Sequence, residues 1–103
     1  MNAKKEFLEE IKDKQVVCAK IGKECDYQDY HWNILKEGYT QEEFDTFCNS
    51  LDFEYDSGYG GQELFGVILF EDGYSERHEY DGSECWEYKK IPSVKEVLEF
   101  EPD

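Results

Sequence analysis

Two Asp-Gly pairs, Asp72-Gly73 and Asp81-Gly82, constrain what this chain can fold into more than any other feature. Each sits between strand-like runs, and Asp-Gly suits the two-residue type I′ turn of a β-hairpin, where both central residues take positive φ. Together they predict a three-stranded meander, Leu64–Glu71, Tyr74–Tyr80 and Ser83–Lys89. If both turns have two residues, the register follows by counting. Glu71 then pairs with Tyr74, Ile68 with Arg77 and Val67 with His78. Across the second turn Tyr80 pairs with Ser83, Glu79 with Glu84, His78 with Cys85, Arg77 with Trp86 and Glu76 with Glu87. A three-residue loop with a glycine bulge would shift the first hairpin by one and reverse its faces.

The rest of the chain supplies helices and one or two further strands. Ala3–Asp13 reads as an amphipathic helix with Phe7, Leu8 and Ile11 on one face. Lys14–Ile21 is β-branched and apolar on both faces around Val16-Val17-Cys18-Ala19, which predicts an interior strand. Gly22–Asp29 reads as a polar turn and Tyr30–Leu35 as a second strand, with a helical turn as the alternative. Gly38 ends that element. Thr40-Gln41-Glu42-Glu43 is a capping box, and Phe44, Phe47, Cys48 and Leu51 follow as one apolar helical stripe. Asp52–Asp56 alternates strictly, placing Phe53 and Tyr55 inward and three carboxylates outward. Ser57–Gly61 is a loop. Pro92 breaks the final strand, and the tail 92–103 holds at most one turn, around Val94–Leu98. The expectation is one α+β domain over residues 1–103, ordered from about residue 5 to 91. It has a mostly antiparallel sheet, the C-terminal meander plus one or two N-terminal strands, with two helices on one face. The exposed face should then carry the acids.

Charge points to the kind of partner. The chain has 26 Asp/Glu against 11 Lys/Arg, a net of −15. Residues 1–22 hold five lysines and four acids, whereas Asp52–Glu87 holds 11 acids and one base, Arg77. Self-repulsion of that size opposes compact folding, so a use for the field is worth seeking. The aromatic content of 17% argues for a packed fold rather than an acidic disordered chain. No charged, apolar leader opens the sequence and no apolar run approaches 18 residues, so a soluble, cytoplasmic protein without a membrane span is expected. Cys18, Cys25, Cys48 and Cys85 form no Cys-x-x-Cys pair and read as free packing thiols.

No catalytic or metal-binding pattern stands out. His78 beside Cys85 is the nearest approach to a nucleophile and base, but Glu76 and Glu87 would raise the thiol pKa. The pair is read as cross-strand packing, and the chain as a non-enzyme without cofactor or metal. His31, His78 and the cysteines lack zinc-ligand spacing, and the Asp residues lack the calcium-loop pattern. Tyr55–Gln62 is rich in glycine but has no following Lys-Ser/Thr, so a phosphate loop is disfavoured. Arg77 opposite Trp86 suits stacking of a guanidinium on an indole, with Glu79 and Glu84 close enough for Arg77 to act as their counter-ion.

The segment Tyr55–Tyr88 resembles a set of small bacteriophage and prophage proteins of unassigned activity. They share its Tyr-Asp, Gly-Tyr-Gly, Leu-Phe-Gly, Asp-Gly and Glu-Tyr-Asp-Gly-Ser-Glu pattern. The chain departs from them at Tyr74 and Cys85, where such proteins tend to have Trp. In size and charge alone it is similar to anti-CRISPR and anti-restriction proteins, several of which mimic DNA. The leading expectation is therefore an inhibitor of a basic, nucleic-acid-handling host-defence protein, a nuclease or effector complex, acting in the host cytoplasm without contacting nucleic acid itself. Its partner-binding surface would comprise Asp52, Glu54, Asp56, Glu76, Glu79, Asp81, Glu84 and Glu87, with Tyr59 and Trp86 as anchors. The alternative is a small acidic interaction module that binds through aromatic loop residues. A monomer and a homodimer are both compatible with the sequence.

Overall fold

The computed structural model describes residues 1–24, 30–55, 62–80 and 83–99. In chain order these form α1 (Ala3–Glu10), β1 (Val16–Glu24), β2 (Tyr30–Leu35), α2 (Gln41–Ser50), β3 (Leu64–Phe70), β4 (Gly73–Tyr80), β5 (Ser83–Lys90) and α3 (Val94–Leu98). The strands make one antiparallel sheet in the order β2-β1-β3-β4-β5, so the architecture is α+β with a C-terminal meander. No described helix is long and apolar enough to cross a membrane.

Helix ends follow from their capping residues. The Thr40 hydroxyl accepts the Glu43 N–H at 3.1 Å while the Glu43 carboxylate accepts the Thr40 N–H at 3.2 Å, the reciprocal box expected from the sequence. Asn2 caps α1 by accepting the Lys5 N–H at 3.0 Å. That helix stops earlier than the apolar spacing suggests, because Asp13 takes a left-handed φ of 64° and turns the chain into β1. Phe7 is fully buried, Ile11 is half-buried and Leu8 lies at the surface.

α1 and α2 share one core with the sheet. Phe7 meets Phe47 edge-on at 5.3 Å, and both belong to a cluster with Ile21, Leu35, Leu64 and Ile68. Burying each such side chain contributes about 1.5–3 kcal/mol. On the sheet, these positions share the parity that faces the helices. Gly66 lets β3 lie close to β1: its φ is 157°, and a Cβ there would meet the Lys20 carbonyl oxygen and the Ile21 backbone.

The second hairpin has the counted register, with Tyr80 opposite Ser83, Arg77 opposite Trp86 and Glu76 opposite Glu87. Its turn, Asp81-Gly82, lies outside the described residues. The first hairpin differs. Ile68 pairs with Ser75 and Val67 with Glu76, two residues from the expected partners, so the faces are kept and the turn is centred one residue earlier, on Glu71-Asp72. Neither Asp72 nor Gly73 has positive φ, so this is no type I′ turn. Gly73 instead opens the β4–β5 ladder opposite Lys90, and the Asp72 carbonyl accepts the Ile91 N–H at 2.8 Å. Phe70 stays in the core, 2% exposed, with its ring 5.9 Å from that of Tyr88. With Gly73 taken into β4, the chain turns over Glu71 and Asp72 instead of Asp72 and Gly73.

Two further expectations change. β1 runs on through Glu24 beyond the expected end at Ile21, with residues 25–29 outside the described set. The alternating segment from Asp52 makes no described strand; it forms an isolated bridge between Asn2 and Glu54, with the Ala3 N–H donating to the Phe53 carbonyl at 3.1 Å. Tyr55 points inward as its parity requires and is 4% exposed. α3 buries none of its residues. Thr40→Ala is accordingly expected to cost about 1 kcal/mol in urea denaturation. Ser93→Ala, at the cap of the exposed α3, should leave the midpoint unchanged.

Candidate functional site

Strand parity divides the meander into two chemically different sides. Ser75, Arg77 and Glu84, with Trp86 and Tyr88, face the helices. Tyr74, Glu76 and His78, with Cys85, Glu87 and Lys89, face the other way. The side facing the helices is built around a buried cation. The Arg77 side chain is 1% exposed, and its Nη1 lies 2.9 Å from Glu6 Oε2. Its Nε donates to Glu84 Oε1 at 3.1 Å, and Nη2 lies 3.1 Å from the same oxygen. Nη2 also donates to the Tyr55 hydroxyl, which in turn donates to Glu6. The rings of Tyr55 and Trp86 lie on the guanidinium, each centroid 5.4 Å from Cζ.

Glu84 has a second task. β3 and β4 pair only over Val67–Leu69, so the strands part toward the start of β3. There the Glu84 carboxylate accepts the Glu63 N–H at 2.8 Å and the Leu64 N–H at 3.0 Å. One carboxylate thus neutralises Arg77 and occupies backbone donors that strand pairing has left. Burial first, then the hydrogen bond to Glu6, pushes the Tyr55 phenol far above its ordinary pKa.

Facing away from the helices is an apolar sheet surface. Phe65, Val67 and Leu69 form a column along β3, the middle strand. The register sets Ile34, Lys20, Val67, Glu76 and Glu87 in one row across all five strands. Ile34 is 57% exposed, Val67 42% and Trp32 39%. Trp32 lies flat over Gly22, where an added Cβ would come within 2.6 Å of the indole, and the Lys20 ammonium sits 4.7 Å from the ring centroid. Shallow depressions of about 370 and 380 Å³ flank Val67, the first beside Trp32 and Phe65, the second beside Ile34 and Leu69.

The few charges on this face balance. His78 Nε2 lies 2.9 Å from Glu76 and 3.8 Å from Glu87, and Lys89 lies 3.8 Å from Glu76. Lys20 is the cation at its centre, and Lys36 and Glu37 stand together at its rim. His78 and Cys85 are cross-strand neighbours, as counted.

Of the described members of the expected acidic set, only Glu76 and Glu87 stand on this face. Glu84 is buried against Arg77, and Trp86 packs on the same guanidinium instead of standing out as an anchor. Glu79 is exposed but shares the parity of Arg77, while Glu76 and Glu87 lie on the opposite side. Asp52 and Glu54 are exposed at the N-terminal edge, where the Asn2 amide donates to them at 3.1 and 3.2 Å. That hydrogen bond, followed by one from the N-terminal amine, holds the Glu54 carboxyl below its usual range. Asp56, Tyr59 and Asp81 lie outside the described residues. Sequence reasoning missed the face of Ile34, Val67 and Leu69 because a continuous apolar run reads as a strand buried on both sides. The signal was present: two short helices can cover only one face of a five-stranded sheet.

Cys18, Cys48 and Cys85 are free thiols, and burial pushes the Cys48 thiol up. No protein-family model matches the chain, and neither curated proteins nor solved structures gave a match.

Removing the cation should leave the Glu6 and Glu84 carboxylates without their counter-ion. Arg77→Met is expected to destabilise the protein by about 3–5 kcal/mol in urea denaturation. Tyr55 adds a pH dependence of known sign. Its folded pKa lies above the unfolded value of about 10, so its contribution is complete below that pH and falls as pH rises beyond it. Tyr55→Phe should flatten the loss of stability above about pH 10 measured by denaturation across an alkaline series.

Proposed function

We propose that this protein is a non-catalytic interaction module that docks on another protein through the open face of its sheet. The observation that carries this reading is the contiguous apolar surface of Ile34, Val67, Phe65 and Leu69, with Trp32 laid over Gly22 at its edge. Exposed apolar patches of this kind mark contact sites. A sheet face also offers a surface whose backbone is already ordered, which limits the entropy lost on binding. The balanced charges around the patch suit close contact, since no large like-signed cluster has to be desolvated there.

The remaining carboxylates act at longer range. A net charge of −15 steers the protein toward basic surfaces and raises the rate of encounter. This field supports a second reading, an anti-CRISPR or anti-restriction type of inhibitor that competes with nucleic acid for a basic host-defence protein. Asp52, Glu54, Glu76, Glu79 and Glu87 are the described members of the expected set that solvent reaches. The resemblance of Tyr55–Tyr88 to phage proteins fits that setting.

A bacterial lysate capture with two variants separates the readings. One variant carries Ile34→Asp with Val67→Asp, the other Asp52→Lys, Glu54→Lys and Glu79→Lys, each confirmed folded by circular dichroism. Docking through the sheet predicts that the first loses the captured proteins and the second keeps them at physiological salt. The inhibitor reading predicts the reverse, together with displacement by DNA and release at raised salt. Retention of every captured protein by the first variant would overturn docking through the sheet.

A further inference from the structure

We infer that the open face pairs with a second copy of this chain about a two-fold axis running along β3. This rests on the reading of that face as a docking surface and names its occupant. β3 is the central strand of five, with β1 and β4 on either side and β2 and β5 outermost. A two-fold axis parallel to the strands sets β3 against β3, β1 against β4 and β2 against β5 of the other copy. Sheets stacked face to face keep their strands within about 30° of parallel, which this operation allows.

The row through Val67 is then self-complementary. Val67 meets Val67 on the axis, and Lys20 on β1 faces Glu76 on β4 of the second copy, twice by symmetry. Ile34 faces the methylenes of Glu87. Phe65 and Leu69 continue the apolar contact along the axis. An isologous interface needs just such a relation, in which one patch complements itself. In this row unlike charges stand symmetrically about an apolar centre.

Size sets the strength. Five strands about 4.8 Å apart and three rows about 7 Å apart give a patch of roughly 24 by 20 Å. Two copies would bury about 1,000 Å² in all, the lower end for a specific interface. The dimer is therefore reversible. It also has an unusual salt response. Two chains of −15 repel at long range, so moderate salt should strengthen the pairing, whereas salt weakens attraction to a basic partner.

Sedimentation equilibrium from micromolar to near-millimolar concentration, at low and moderate salt, tests this. The natural chain is expected to be a monomer–dimer mixture that shifts toward dimer with added salt. Lys20→Glu and Glu76→Lys should each weaken the dimer by about tenfold, and the double variant should recover most of that loss. Both positions are surface residues, so circular dichroism should show unchanged folding. A monomer at every concentration, or a dimer indifferent to both single changes and to Val67→Asp, would overturn the inference. The second outcome would point to pairing of strand edges. If the natural chain is monomeric yet Ile34→Asp with Val67→Asp abolishes lysate capture, self-pairing fails and docking through the sheet stands. If that variant also leaves capture intact, both fail.

Discussion

The guanidinium of Arg77 is the contact on which the arrangement of this acidic chain depends. It is the one base between Asp52 and Glu87, and it lies in the core between Glu6 of α1 and Glu84 of β5. Through Tyr55 it also ties in the segment that follows α2. Four separate parts of the chain thus meet at one cation. A buried ion pair rarely adds much stability over an apolar alternative, but it leaves few arrangements in which every charge is satisfied. Here Glu84 must reach both Arg77 and the backbone of Glu63 and Leu64, which fixes the register of β5 on β4 and the place where β3 and β4 part.

That cluster settles which side of the sheet faces the helices, and so what is left outside. With Arg77, Glu84 and Trp86 turned inward, the alternate residues Glu76, His78 and Glu87 turn outward beside Val67 and Lys20. The result inverts the usual division at one place in the molecule. Two charged side chains occupy the core, while Ile34 and Val67 are offered to solvent. The proposed docking role and the proposed two-fold pairing both draw on this exchange, the first for its apolar area and the second for its symmetric charges.

Much of the fold was legible in the sequence where a local rule decides the structure. The capping box at Thr40 and the apolar stripe of Phe47, Cys48 and Leu51 fixed α2. Counting across Asp81-Gly82 gave the β4–β5 register correctly, including Arg77 opposite Trp86. The first hairpin was misread because Gly73 is used for close approach to β5, a tertiary demand that no dipeptide reveals. The site was less legible than the fold. Glu84 is a carboxylate like its neighbours until the parting of β3 from β4 gives it backbone donors to satisfy. Likewise, whether an apolar strand is covered on one side or both depends on how many helices the whole chain supplies.

Exposure of the open face can be measured directly. In dilute protein, a soluble paramagnetic agent broadens the methyl NMR signals of groups that solvent reaches. Strong broadening is expected for Ile34 and Val67, with Ile21 and Ile68 spared beneath the helices. Equal protection of Ile34 and Val67 would mean that the face is covered within the monomer, and would contradict its role as a docking surface.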